Sequence, residues 1–167
     1  NTISSIDPAV FMLQETKLKR KGILGRNKFL ENYQLFEQVR SDSDGGGIAI
    51  GIKQNLKPFL ISEGDEDVEM ITVQASVNDL TIRFMTGYGP LENASNYKRM
   101  AFWSRFKEEV AAAELAGSSI YIELDANGKV GPNVIPGDPH EQTKNGECLM
   151  DIIEAVSYTH LTLPTTP

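Results

Sequence analysis

Apolar and polar residues alternate along Ser119–Asp125, with Ile120, Ile122 and Leu124 on one face of an extended chain and Tyr121, Glu123 and Asp125 on the other. Gly128 breaks the pattern, so Asp125 and Asn127 stand at the carboxyl end of a predicted strand. Open α/β sheets bind ligands at that edge, although turn chemistry alone also places Asp and Asn there. Residues 9–13 form a continuous apolar run, the mark of a strand covered on both faces, and end in Gln14-Glu15-Thr16. Residues 33–39, 47–52 and 58–62 read as further strands. Residues 68–77 and 80–88 read as an antiparallel hairpin turning at Asn78-Asp79. The second of these strands runs out in Thr86-Gly87-Tyr88-Gly89-Pro90, which puts a phenol at a third strand end.

Helical periodicity is confined to three places. Residues 2–6 read as the last turn of a helix, closed by Asp7-Pro8 because the residue before proline avoids helical angles. Asn93 or Ser95 can cap a helix in which Trp103, Phe106 and Val110 form the apolar stripe. Lys98, Arg99, Arg105, Lys107, Glu108 and Glu109 fall mostly on its other side, and Ala116-Gly117 ends it. That stripe is structural, and it lays a helix against one face of the sheet. Residues 128–145 form a long polar loop with three prolines, in which His140 has no second histidine or cysteine at ligand spacing. Asn145-Gly146 leads into a short amphipathic helix ending near Ala155. Residues 157–167 match neither the composition nor the register of the rest, and resemble a translated adaptor sequence.

At 167 residues, 40% hydrophobic and 23% charged, the chain is sized and composed as a single globular domain. No run approaches the ~20 apolar residues of a membrane helix, and no basic-then-apolar leader is present. Cys148 is the only cysteine, which excludes an internal disulfide and suits a small core residue in a reducing compartment, nuclear or cytoplasmic. The net charge of −7 argues against holding nucleic acid by bulk electrostatics. It leaves open an enzyme that meets phosphate through a hard cation held by carboxylates. Six of the sixteen basic residues gather within residues 17–28, directly after Glu15, as either a phosphate-contacting segment or a solvated loop. Asp42 and Asp44 precede a glycine run without the distal glutamate of a calcium loop, so that reading is set aside.

Taken in order, Leu13-Gln14-Glu15-Thr16-Lys17, Gly45-Gly46-Gly47-Ile48-Ala49-Ile50, Gly87-Tyr88-Gly89-Pro90 and Asp125-Ala126-Asn127 resemble the endonuclease/exonuclease/phosphatase family. Its members include apurinic endonucleases, deoxyribonuclease I and the endonuclease domain of non-LTR retrotransposons. The likeness covers nearly everything from Asp7 to Ala155, and the Gly-Gly-Gly strand and Asn145-Gly146 helix look most like the retrotransposon branch. It implies an α/β (α+β) fold: a two-layer β-sandwich flanked by helices, deoxyribonuclease I-like, using Mg²⁺ or Mn²⁺. It also implies that Glu15 binds the metal, Asp125 positions or deprotonates the attacking water, Asn127 helps hold the phosphate, and Tyr88 contacts the scissile phosphate. DNA is the implied partner, with Lys17, Lys19, Arg20 and Lys21 as candidate contacts, and a covalently linked reverse transcriptase is compatible with the retrotransposon branch.

The family usually has glycine before the motif aspartate, where this chain has Leu124, and the resemblance therefore implies a tighter or shifted pocket. Residues 1–156 match part of the family domain. Its first strand would precede Asn1, and its last strands, with an aspartate and a histidine, would follow Ala155. The expectation is that the chain by itself does not cleave DNA. A sugar-phosphate or inositol-phosphate phosphatase on the same scaffold, or a non-catalytic remnant, are the alternatives.

Overall fold

The computed structural model describes residues 2–40, 45–78 and 80–156. Asp79 of the expected hairpin turn, Asp42 and Asp44, and the tail with His160 lie outside the described residues. Strands β1 (Val10–Leu13), β2 (Tyr33–Gln38) and β3 (Ile48–Lys53) form an antiparallel sheet in the order β1-β3-β2. Strands β4 (Phe59–Glu63), β5 (Glu69–Val77), β6 (Leu80–Tyr88) and β7 (Ser119–Asp125) form a second sheet in chain order. Pairing there is antiparallel up to β6, whereas β7 runs parallel to β6. The parallel step follows from the connection: helix α2 (Asn96–Leu115) carries the chain back along the sheet before β7 begins. A short helix α1 (Thr2–Ile6) precedes β1, and α3 (Lys144–Val156) packs beside α2.

Period-two alternation assigns each strand face to one of three apolar clusters. Met12, Ile48, Ile50 and Ile52 from the first sheet meet Ile71, Val73, Ala75, Phe84 and Tyr88 from the second, making the filling of a sandwich. On the outer face of the second sheet, Met70 and Met85 pack with Phe102, Trp103, Phe106 and Val110 of α2 and Ile152 of α3. Phe11, Leu30 and Tyr33 cover the outer face of the first sheet. Large side chains buried this completely contribute about 1.5–3 kcal/mol each relative to exposure. The two-sided burial of β1, inferred from its unbroken apolar run, therefore has its sandwich partner in Met12 and its outer partner in Phe11.

Helix α2 starts where the capping chemistry directs: Ser95 accepts from Lys98 N at 3.3 Å. Its buried face is wider than the apolar stripe, because Arg99 and Glu109 are buried as well. Arg99 donates to Glu92 O at 2.8 Å and to Asn96 Oδ1 at 2.9 Å, tying down the loop before the helix. Glu109 accepts from Ser62 Oγ at 2.6 Å and pairs with Arg105. Within and just after the basic segment 17–28, 3₁₀ turns form at Leu24–Arg26 and Lys28–Leu30. One expectation is corrected. Asn145 and Gly146 lie inside the first turn of α3 rather than ahead of it.

Candidate active site

The second sheet sets the geometry. Glu69 on β5, Tyr88 on β6 and Asp125 on β7 are register partners across three adjacent strands, so they form one row at one end of the sheet. By alternation all three lie on the sandwich side, with Tyr88 in the sandwich core and Glu69 4% exposed. From the first sheet, β1 delivers Glu15 to the same end. Gln14 makes that crossing firm by donating to Thr86 Oγ1 at 2.9 Å and to Glu123 O at 3.3 Å. Tyr88 O–H then donates to Glu15 Oε1 at 2.7 Å, linking residues 73 positions apart in sequence.

Two loops leave the sheet side by side. Asn127 adopts a left-handed backbone, φ 45°, which asparagine tolerates better than most residues. Its N–H donates to Asp125 Oδ1 at 3.0 Å and its side chain to Gly89 O at 2.7 Å. Gly89 N in turn donates to Asp125 O at 2.7 Å. The approach demands glycine, since a Cβ on residue 89 would stand 2.7 Å from Ala126 O.

Asn145, wholly buried, holds both loops from below: it donates to Pro90 O at 2.6 Å and Asn127 O at 3.2 Å and accepts from Trp103 Nε1 at 3.1 Å. Sequence reasoning had no role for Asn145 at the site, nor any for Glu69. An asparagine in the first turn of a helix, and an acid preceding an apolar strand, carry no local signal of burial.

The charges at the site are arranged to hold particular protonation states. The phenol of Tyr88 is shifted up, first by burial and then by its hydrogen bond to Glu15, so it is a neutral donor near pH 7. Glu15 is shifted down by that same hydrogen bond, then by Lys17, whose ammonium lies 3.4 Å from Oε2. Burial pushes Glu69 up, against the pull of Arg40. Glu123 is also shifted up by partial burial, partly countered by Gln14.

Glu15, Tyr88, Asp125 and Asn127 therefore meet at one end of the molecule. Lys17, Lys19, Arg20 and Lys21 are exposed on the loop that leaves Glu15, where Lys17 pairs with Glu15 and Lys21 with Glu63. Leu124 does not narrow this site, contrary to expectation. It faces the helix layer, its Cδ1 3.0 Å from where a Gly87 Cβ would be, and packs in the cluster with Phe102. His140 is exposed, against a shallow hollow of about 290 Å³ in the 130–142 loop. Cys148 is free and half-buried beside the α2 cluster.

Glu15 is half exposed, at 46% of its side-chain surface, with an oxygen directed to an ammonium. Such a donor fits a hard cation that keeps several waters and takes one or two carboxylates, as Mg²⁺ does. No group of three or more His, Cys, Asp or Glu side chains is gathered into a metal cage among the described residues.

No protein-family model and no curated protein sequence matches the chain. Solved structures do. The AP endonuclease LMAP from Leishmania major is similar over 93% of this chain and 59% of its own, with TM-score 0.69 and 14% identity. The endonuclease domain of TRAS1, a telomere-specific non-LTR retrotransposon, is similar over 93% of this chain and 61% of its own, with TM-score 0.54 and 14% identity. ANGEL2, a 2′,3′-cyclic phosphatase, is similar over 83% of this chain and 43% of its own, with TM-score 0.58 and 18% identity. The chain thus spans well under two thirds of the length of each of these structures. Two sheets flanked by two helices, in this order and pairing, give the chain a deoxyribonuclease I-like fold.

Proposed function

We propose that this chain is part of a metal-dependent phosphodiesterase that nicks DNA, of the kind carried by non-LTR retrotransposons, where a reverse transcriptase can follow in the same polypeptide. The observation that carries the reading is the meeting of Glu15, Tyr88, Asp125 and Asn127 at one end of two different sheets. Four strand-end residues placed there only for turn chemistry have no reason to converge. Similarity to an AP endonuclease and to a retrotransposon endonuclease domain over 93% of the chain supports the same class.

In this reading Glu15 holds Mg²⁺ or Mn²⁺, and when bound such a cation polarises a phosphoryl oxygen and offsets developing charge. Glu15 is suited to that role because Tyr88 and Lys17 keep it ionised. Asp125 orients and deprotonates the attacking water. Asn127 is held by Gly89 O and lies against the Tyr88 hydroxyl, which sets its amide beside the place a phosphate oxygen would take. Tyr88, kept neutral by burial, adds no second negative charge beside an anionic substrate. Lys17, Lys19, Arg20 and Lys21 extend the site along the phosphate backbone of DNA.

The test is nicking of supercoiled plasmid by the chain expressed with its own flanking coding sequence. Nicking that requires Mg²⁺ or Mn²⁺ and falls at least ~10³-fold in Asp125→Ala is expected, from the loss of a general base and the water it orients. Metal-independent nicking, or nicking untouched by Asp125→Ala, would refute the assignment. Hydrolysis of a 2′,3′-cyclic phosphate without plasmid nicking would move the protein to the phosphatase branch.

A further inference from the structure

One acid close enough to Glu15 to feel its charge has no part in the function just described. Glu69 occupies the third place in the row with Tyr88 and Asp125, yet it is 4% exposed and its Oε2 has no hydrogen-bond partner. A cation that keeps several waters cannot reach so enclosed an oxygen, whereas it can reach Glu15. What Glu69 does reach is the glycine run. Its Oε1 accepts from Gly47 N at 3.2 Å and forms an ion pair with Arg40. Gly47 and its neighbour Gly46 hold the turn that carries Glu15: Thr16 N donates to Gly47 O at 3.0 Å and Lys17 N to Gly46 O at 2.9 Å.

That turn is under strain, which is why it needs holding. Glu15 and Lys17 both have left-handed backbones, at φ 50° and 55°, a conformation that costs a non-glycine residue about 1 kcal/mol or more. Gly46 and Gly47 are left-handed too, at φ 78° and 84°. A Cβ on Gly46 would lie 2.7 Å from Glu69 Oε1, and one on Gly47 would lie 2.6 Å from Thr16 Oγ1. The glycine pair is thus a backbone layer pressed between the Glu69 carboxylate on one side and the Glu15 turn on the other.

We propose that Glu69 is a positioning residue: by anchoring Gly47 it fixes the strained turn that aims Glu15. The inference rests on reading Glu15 as the metal-binding carboxylate, and its test is arranged to separate the two. The measurement is amide hydrogen exchange on the full chain, together with calorimetric titration of Mn²⁺, for wild type, Glu69→Asp, Glu69→Gln and Glu15→Gln. Glu69→Asp keeps the charge but withdraws the carboxylate by one methylene. It should speed exchange of the Thr16 and Lys17 amides about tenfold, the scale of one ordinary hydrogen bond, while Val73 and Phe84 amides stay within about twofold of wild type.

Mn²⁺ should bind the Asp variant several-fold more weakly, and Glu69→Gln, which restores the reach of an acceptor oxygen, should recover most of the protection. Thr16 and Lys17 exchange that is unchanged in Glu69→Asp, or that rises only in proportion to Val73 and Phe84, would overturn the proposal. Glu15→Gln should abolish Mn²⁺ binding and leave the exchange pattern intact. Wild type that binds no Mn²⁺ would overturn the reading of Glu15 as a ligand, and the exchange result would still decide whether Glu69 fixes its turn.

Discussion

Replacing Asn145 by alanine tests how much of the site is built from buried polar contacts. Its amide makes three hydrogen bonds at zero exposure, to Pro90 O, Asn127 O and Trp103 Nε1. Alanine takes the partner from the buried Trp103 N–H and from two part-buried carbonyls, and a group left buried and unsatisfied costs about 1–3 kcal/mol. The three share one cavity, so the costs do not simply add, and we expect a total of roughly 3–5 kcal/mol. That is a large part of the ~5–15 kcal/mol that holds a domain together. With a urea m-value of about 2 kcal/mol/M, the denaturation midpoint should fall by roughly 2 M.

Urea unfolding followed by fluorescence reads this directly, because Trp103 is the chain's single tryptophan and donates to Asn145. Asn145→Asp offers a second arm. It keeps an acceptor for Trp103 but sets a carboxylate against two carbonyl oxygens, and burial raises the pKa of such an acid. Its stability should therefore improve as pH falls and the acid gains a proton to donate. A midpoint shift below about 0.3 M in Asn145→Ala would show that water or local rearrangement replaces the hub, and the reasoning would fail.

Three further outcomes are expected. Gly51 lies opposite Phe11, and a Cβ there would stand 2.2 Å from the ring, so Gly51→Ala should cost about 1–3 kcal/mol. Adding Phe11→Leu should recover part of that loss, and a double-mutant cycle showing no coupling would contradict the contact. Tyr88→Phe removes the largest cause of the lowered Glu15 pKa, so a ¹³C titration should find the Glu15 carboxyl moved up. Glu15's folded pKa lies below its unfolded one, so its stabilising effect is present above the unfolded pKa and is lost as pH falls through the folded value. That pH dependence should shrink in Tyr88→Phe, and an unaltered titration would count against the hydrogen bond. Neutralising Lys19, Arg20 and Lys21 together should flatten the salt dependence of DNA binding by roughly one unit per lost phosphate contact. An unchanged slope would leave the run as solvated surface.

Much of the fold is legible in local patterns because strand and helix periods are local quantities. Leu80–Tyr88 is a strand with the bounds its alternation predicts, and Ser95 caps α2. Glu15, Tyr88 and Asp125 are visible as strand-end polar groups for the same reason: each follows an apolar run and precedes a turn. Where those ends go is another matter. A strand of four to nine residues does not specify its neighbour, so the division into two sheets, and the parallel placing of β7 beside β6, depended on which apolar faces could be buried together.

The same limit governs the residues that only the tertiary structure brought forward. Glu69, Arg99, Glu109 and Asn145 are polar, and polarity in a sequence reads as exposure. Partners far along the chain hold three of them, Gly47 and Arg40 for Glu69, Ser62 for Glu109, and Trp103 with two loop carbonyls for Asn145, while Arg99 is held by carbonyls of the loop just before its helix. Leu124 shows the converse, since alternation alone puts it opposite Asp125, but only the helix packed over Gly87 makes clear that it has no access to the site. The sequence determined the elements and the chemistry at their ends; long-range packing decided which ends meet and which buried polar groups hold them there.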